Sequence, residues 1–316
     1  MLFIIMPIEK DMRPAETVPR PACAKLDRAR IDARLSGSTG LPSLRNHHSA
    51  LRELMDADER STSEIAEIIR RDPSLTTRLL HMVNAINYGS SKRPTNLDEA
   101  VFYVGVRQIR QLAMMTQIVE DLQQIAQETP FPWREFWRHS IATALMTREV
   151  TSLIQSQSDD IDYVAGLIHD IGRIVMATTF PDHFVEIYHG RAGERGDLLQ
   201  LEREVLGINH AELGAIYIRK QKLPEVLVEI VQFHHSPQLS RYHSKISAAV
   251  QISDLLVRHS KIGESGNSGE VPDKSWFEAA GWKILFGEQS EAERSFSMNS
   301  LNLGLEGIPA VLEGLV

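Results

Sequence analysis

Apolar residues recur at helical spacing along most of the chain, and no alternating strand pattern of useful length competes with them. Ser61 and Glu64 form a capping box ahead of Ile65, Ile68 and Ile69, a helix that Asp72 and Pro73 end. Leu75, Leu79, Leu80 and Val83 mark the buried stripe of the next helix, and 88–94 is a loop. Asn96 with Glu99 opens a further run through Val101, Val104, Ile109, Leu112 and Met115, which Gly105 divides. Residues 132–154 predict a long helix with Trp133, Phe136 and Trp137 at its start and apolar residues on more than one side, so a central place. The stretch 161–178 has charge essentially only at Asp162, Asp170 and Arg173, which predicts one helix buried all round. Gly166 and Gly172 lie inside it, and because a helix-interior glycine costs about 1 kcal/mol relative to alanine, they point to close backbone neighbours. Further helices fit at 198–206, 210–221, 224–235 and 243–259, and the expected fold class is all-α with short connections.

Three segments follow from this pattern. Residues 1–38, with several prolines, many charges and little periodicity, read as a flexible extension; 39–260 is the folded domain; 261–316 is a linker and tail. The linker is assigned to 263–269, which is Gly, Ser, Asn and Glu. Beyond it, Trp276, Phe277, Trp282 and Phe286 allow the tail to pack back on the domain, without assigned chemistry. The apolar start of the chain is far too short to cross a bilayer and lacks the flanks of a secretion signal, which favours a cytoplasmic protein.

Composition narrows the chemistry. A net charge of −8 provides no global basic field, so neither general nucleic-acid binding nor attachment to anionic lipid is expected. A single cysteine, Cys23, rules out an intramolecular disulfide, and twelve histidines without a cysteine cluster point to nitrogen and oxygen ligation of a metal.

The candidate ligands are His139, His169, Asp170, His210, His234, His235 and Asp254, mostly set in apolar helical runs. A charged or imidazole group at a core position costs several kcal/mol, roughly, unless it is compensated, and a shared metal ion is one compensation. His169 and Asp170 are neighbours that can grip one site from a single turn, and the carboxylate can bridge two ions. Asp254 continues an apolar stripe through Ile246 and Val250; its ordinary alternative is pairing with a buried basic group. Glu135 shares the face of His139 and is equally well read as a solvated carboxylate. Each histidine alone is more often structural, so the argument rests on the joint series. His47, His48, His81, His183, His189, His243 and His259 are read as surface or supporting groups.

The order His, His-Asp, His, His-His, Asp on a helical scaffold resembles the HD superfamily of metal-dependent phosphohydrolases, and its HD-GYP branch in particular. The surrounding detail is more similar to the HDOD family: Leu41-Pro42, Arg71-Asp72-Pro73-Ser74-Leu75, Val83-Asn84, Val104-Gly105, His169-Asp170-Ile171-Gly172-Arg173, His210 with Gly214, Leu223-Pro224 and His234-His235. The similarity runs from Leu41 to about residue 260. It implies an HD-like multi-helix domain with a helical N-terminal HDOD half, used in bacterial signal transduction and regulation. Against the hydrolytic pattern, Arg173 stands where HD-GYP proteins have lysine, Ser236 follows the paired histidines in place of glutamate, and no Gly-Tyr-Pro follows.

Two functions are therefore expected to compete. One is a regulatory module that binds a signalling protein or a small nucleotide-like ligand, with Arg70, Arg71, Arg78, Arg107 and Arg110 as a docking face. The other is a phosphohydrolase acting on a nucleotide or cyclic dinucleotide, in which divalent Fe or Mn activates water, Asp170 bridges the ions and Arg173 clamps a phosphate oxygen. Zn and Ni also suit the donor set. A salt bridge is the ordinary alternative for Arg173.

Overall fold

The computed structural model describes residues 23–37, 132–154, 161–190, 197–266 and 269–312, with Glu64, Ile69, Glu99 and Ala100. Every regular element among the described residues is helical. Apart from those four residues, which are helical, the helices expected before residue 130, and the whole arginine docking face, lie outside the described residues.

Helix α1 spans Arg28–Gly37, inside the segment expected to be a flexible lead. Asp27 starts it by accepting from the Arg30 amide at 2.8 Å. Ile31 and Leu35, one turn apart, are buried on the core, and the Leu26 amide donates to the Leu206 carbonyl at 3.0 Å. Two apolar residues at i and i+4 made too weak a stripe among so many charges to stand out in the sequence.

Helix α2, Trp133–Leu153, is the wall between two apolar clusters. Phe136 and Ala144 face the first; Ala142, Met146 and Val150 face the second. This explains its apolar character on more than one side. The expected helix 161–178 is instead two, α3 (Ile161–Ile168) and α4 (Ile171–Thr179), broken at His169 and Asp170. Asp170 leaves helical geometry, with φ −96° and ψ 14°, at the N-cap of α4. In one continuous helix the two side chains would point about 100° apart; the break turns both toward one centre.

After the short α5 (Pro181–Val185) and a π-helical turn at Glu186–Gly190 come α6 (Leu198–Val205), α7 (His210–Lys220) and α8 (Glu225–Phe233). These helices and α4 fill the first cluster. His183, read from sequence as a surface or supporting group, is buried there, with Nε2 3.2 Å from the Ala24 carbonyl. The second cluster is built on α9 (Ser244–His259), α10 (Ala280–Phe286) and α11 (Glu291–Leu312), with Trp276, Trp282 and Phe286 buried in it. The tail thus packs against α2 and α9.

Glycines permit two close crossings that position the site. A Cβ on Gly166 would lie 2.6 Å from the Ala144 Cα of α2, and one on Gly172 would overlap the His210 carbonyl at the start of α7. That start is fixed by a reciprocal capping box: Asn209 Oδ1 accepts from the Glu212 amide at 2.9 Å, and Glu212 accepts from the Asn209 amide at 3.0 Å. Asn209→Ala is expected to cost about 1 kcal/mol, measured by denaturant unfolding as a lower midpoint with an unchanged m-value.

Candidate metal centre

The described residues bring all seven sequence-selected side chains together, in two adjoining groups. Asp170, His210, His234 and His235 form one; His139, His169 and Asp254 form the other. In each group one ligand atom per residue lies within 4.8 Å of the others. The junction of α3 and α4 supplies His169 and Asp170, the second turn of α2 supplies His139, and the first residue of α7 is His210. The end of α8 carries His234 and His235, and α9 contributes Asp254.

The Asp170 carboxylate joins the groups. Its Oδ1 lies 3.0 Å from His210 Nε2 and 3.8 Å from His234 Nε2, while its Oδ2 lies 3.5 Å from His169 Nε2. Asp254 Oδ1 is 3.2 Å from His139 Nε2 and 3.9 Å from His169 Nε2. His210 and His235 approach through their Nε2 atoms at 2.9 Å. All seven are buried except His235, which is half-buried.

Three rings are held from behind. His169 Nδ1 is 2.7 Å from the Gly166 carbonyl and His234 Nδ1 is 2.7 Å from the Val231 carbonyl, contacts that place the proton on Nδ1 and leave Nε2 facing inward. His210 Nδ1 instead meets Glu202, at 2.7 and 2.9 Å from the two oxygens. Glu202 was missed by the sequence reading. It is fully buried and stands on the apolar face of α6 with Leu198, Leu201 and Val205, a misplaced charge of the kind that singled out Asp254.

Electrostatics favour neutral rings at His169, His234 and His235 beside ionised carboxylates, whereas at His210 the adjoining Glu202 and Asp170 carboxylates outweigh burial and raise the imidazole. Burial pulls His169 and His235 below the usual imidazole range and brings His234 down to about 3. For Asp170, burial acts upward but Arg173, His169 and His210 outweigh it and hold the carboxyl well below its ordinary value. Asp254 is likewise held low against burial, by His139 and Arg258.

The residues fit a metal on one further observation: His169 Nε2 and His234 Nε2 are buried with no hydrogen-bond donor and face the Asp170 carboxylate, whose Oδ2 is flanked on its other side by Arg173. Lone pairs facing lone pairs in a dry interior are costly, and neutral imidazoles with an ionised carboxylate are the donor set a divalent cation takes. Glu135 is outside both groups; its side chain is 45% exposed and ion-pairs with Arg138 at 3.6 Å.

Arg173 is engaged by protein groups on several sides. Its Nε lies 3.0 Å from Asp170 Oδ2, another guanidinium nitrogen donates to the Ser265 carbonyl, and the group sits 5.9 Å from the Tyr188 ring centroid. It is 2% exposed. The segment read as a linker is therefore part of the surroundings: the Glu264 amide donates to the Glu135 carbonyl at 2.9 Å, beside Ser265.

Comparison with known proteins agrees with this architecture. The HDOD domain family matches residues 41–237, a span that holds every candidate ligand except Asp254. A structure of an HDOD domain protein of unknown function from Geobacter sulfurreducens superposes with a TM-score of 0.72 at 20% identity, covering 91% of this chain and 98% of that one. A presumed phosphohydrolase from Shewanella amazonensis SB2B superposes with a TM-score of 0.66, also at 20% identity and over 91% and 98% of the two chains. An uncharacterised protein of Treponema pallidum (strain Nichols) is 24% identical over 222 residues, 69% of this chain, and this chain spans only 42% of that relative's length. No helix among the described residues is long and apolar enough to cross a membrane. The chain belongs to the HDOD domain family.

Proposed function

We propose that this protein is a regulatory HDOD module of signal transduction, acting in the cytoplasm through a partner protein or a small nucleotide-like ligand, with its HD-type cluster retained as a structural or sensing metal centre. His139, His169, Asp170, His210, His234, His235 and Asp254 would hold divalent Fe or Mn. The observation that carries this reading is the enclosure of the site: six of the seven donors are buried, and Arg173, the cation expected to clamp a substrate phosphate, is engaged by Asp170 and Ser265. Catalytic metal sites keep a position open, whereas structural sites are closed.

A metal-dependent phosphohydrolase is the second reading, favoured by the half-buried His235 at the edge of the cluster. Bound metal would supply Lewis acidity toward a phosphate oxygen. Asp170 would face both ion positions, and Arg173 would have to exchange its protein partners for substrate.

Elemental analysis of gently purified protein, followed by a panel of nucleotides, cyclic dinucleotides and phosphodiesters, separates the two. Bound Fe or Mn, lost in His169→Ala, with no turnover is the expected result. Turnover that vanishes in His169→Ala and Asp170→Ala would reverse the ranking. Absence of metal from the wild-type protein overturns both.

A further inference from the structure

His169 and His234 stand at the carboxyl ends of helices, where the last carbonyls lack intrahelical partners. Each ring donates from Nδ1 to the carbonyl three residues back. His210 has no such acceptor, because it is the first residue of α7 and follows an extended N-cap, Asn209 with φ −88° and ψ 171°. A separate element must supply the oxygen.

Helix α6 supplies it. The Glu202 carboxylate accepts from His210 Nδ1 and, at 2.8 Å, from the His210 backbone amide, so ring and main chain are gripped together. Its other hydrogen-bond donor is Tyr188, whose hydroxyl donates to Oε1 at 2.6 Å, and the Arg173 charge also acts on it. Tyr188 in turn stacks on Phe184, with ring centroids 4.5 Å apart. Glu202 is therefore saturated by groups that point it at one ring, and that ring presents Nε2 to Asp170 Oδ1 and His235 Nε2.

We infer that Glu202 is a positioning residue of the metal centre: oriented by Tyr188, it fixes His210 with Nε2 toward Asp170 and raises the affinity of the group formed by Asp170, His210, His234 and His235. The inference rests on the metal reading proposed above. A carboxylate behind a ligating imidazole fixes its orientation and strengthens it as a donor, and loss of such a partner typically weakens metal binding about 10–100-fold. A carbonyl partner carries no full charge, so His210 is distinguished from His169 and His234 by a buried negative group behind it.

The test is titration of metal-free wild-type, Glu202→Ala, Glu202→Gln and Tyr188→Phe proteins with Mn²⁺ in competition with a chromophoric chelator, and with Co²⁺ read by visible absorption. Glu202→Ala is expected to lose about 10–100-fold in affinity and to change the Co²⁺ spectrum. Glu202→Gln, which keeps an accepting oxygen without the charge, falls between it and wild type, and Tyr188→Phe shows a smaller loss. Wild-type binding with unaltered affinity and spectrum in Glu202→Ala overturns the inference while leaving the metal reading intact. No binding by wild type overturns the metal reading and this inference with it. Should Glu202→Ala fail to fold, Tyr188→Phe decides, and unchanged affinity and spectrum there overturn the inference.

Discussion

Asp170→Ala is expected to destabilise the metal-free protein by about 3–5 kcal/mol, as well as to abolish metal retention. The metal-free effect comes from Arg173. That guanidinium is buried beside Asp170 Oδ2; its other direct contacts are the neutral Ser265 carbonyl and the Tyr188 ring, and the Glu202 and Asp254 carboxylates act on it without an ion-pair contact. Deleting the carboxylate removes the one anion in direct contact with this buried cation among the described residues, leaving only the indirect action of Glu202 and Asp254. Thermal unfolding in the presence of chelator should show a drop of roughly 10 °C, given about 2–4 °C per kcal/mol for a domain of this size. The double variant Asp170→Ala, Arg173→Met should recover much of the loss, since removing both charges is far cheaper than removing one. A single variant as stable as wild type, or a double variant no better than the single, would show that Arg173 does not depend on this pair.

A loss of about 3 kcal/mol or more is likewise expected for Gly172→Ala, at the upper end for overpacking because the obstruction is backbone. The added methyl would collide with the His210 carbonyl and lie 2.8 Å from the Gly214 nitrogen. Neither atom moves unless α4 and α7 separate, and separation draws Asp170 away from His210. Gly214→Ala meets the Val231 Cγ1 side chain at 3.0 Å and the Gly172 nitrogen at 3.1 Å, contacts a shift of a few tenths of an ångström relieves. It should cost less. Chemical denaturation of the two variants gives the comparison, and metal content measured alongside should fall more steeply in Gly172→Ala. Equal stability of the two would mean that the crossing is looser than the distances imply.

Much of the centre was legible in the sequence because its chemistry violates the pattern around it. Asp254 interrupts an apolar stripe, and His169 and Asp170 sit in the most apolar stretch of the chain. The convergence of seven side chains on two groups follows from helices placed by ordinary burial. What periodicity did not show was the break at His169 and Asp170, since an apolar run reads the same whether it is one buried helix or two. Helix α1 was hidden by its brevity and charge. Glu202 was passed over because a glutamate among Glu and Arg neighbours looks solvated until its register with Leu198, Leu201 and Val205 is counted. Arg173 gave no sign of its partner, because Ser265 lies 92 residues away in a segment whose composition resembles a tether.

That segment is built to lie flush. Gly263 has φ +69°, and a side chain there would run into the Glu135 carbonyl and the His139 amide of α2. The stretch poorest in apolar residues is thus a seam stitched by main-chain atoms, and a fragment trimmed where the composition turns glycine-rich would lose the oxygen against which Arg173 rests. Boundaries for expressing this domain belong beyond the seam, with Trp276 and Trp282 retained to hold it down.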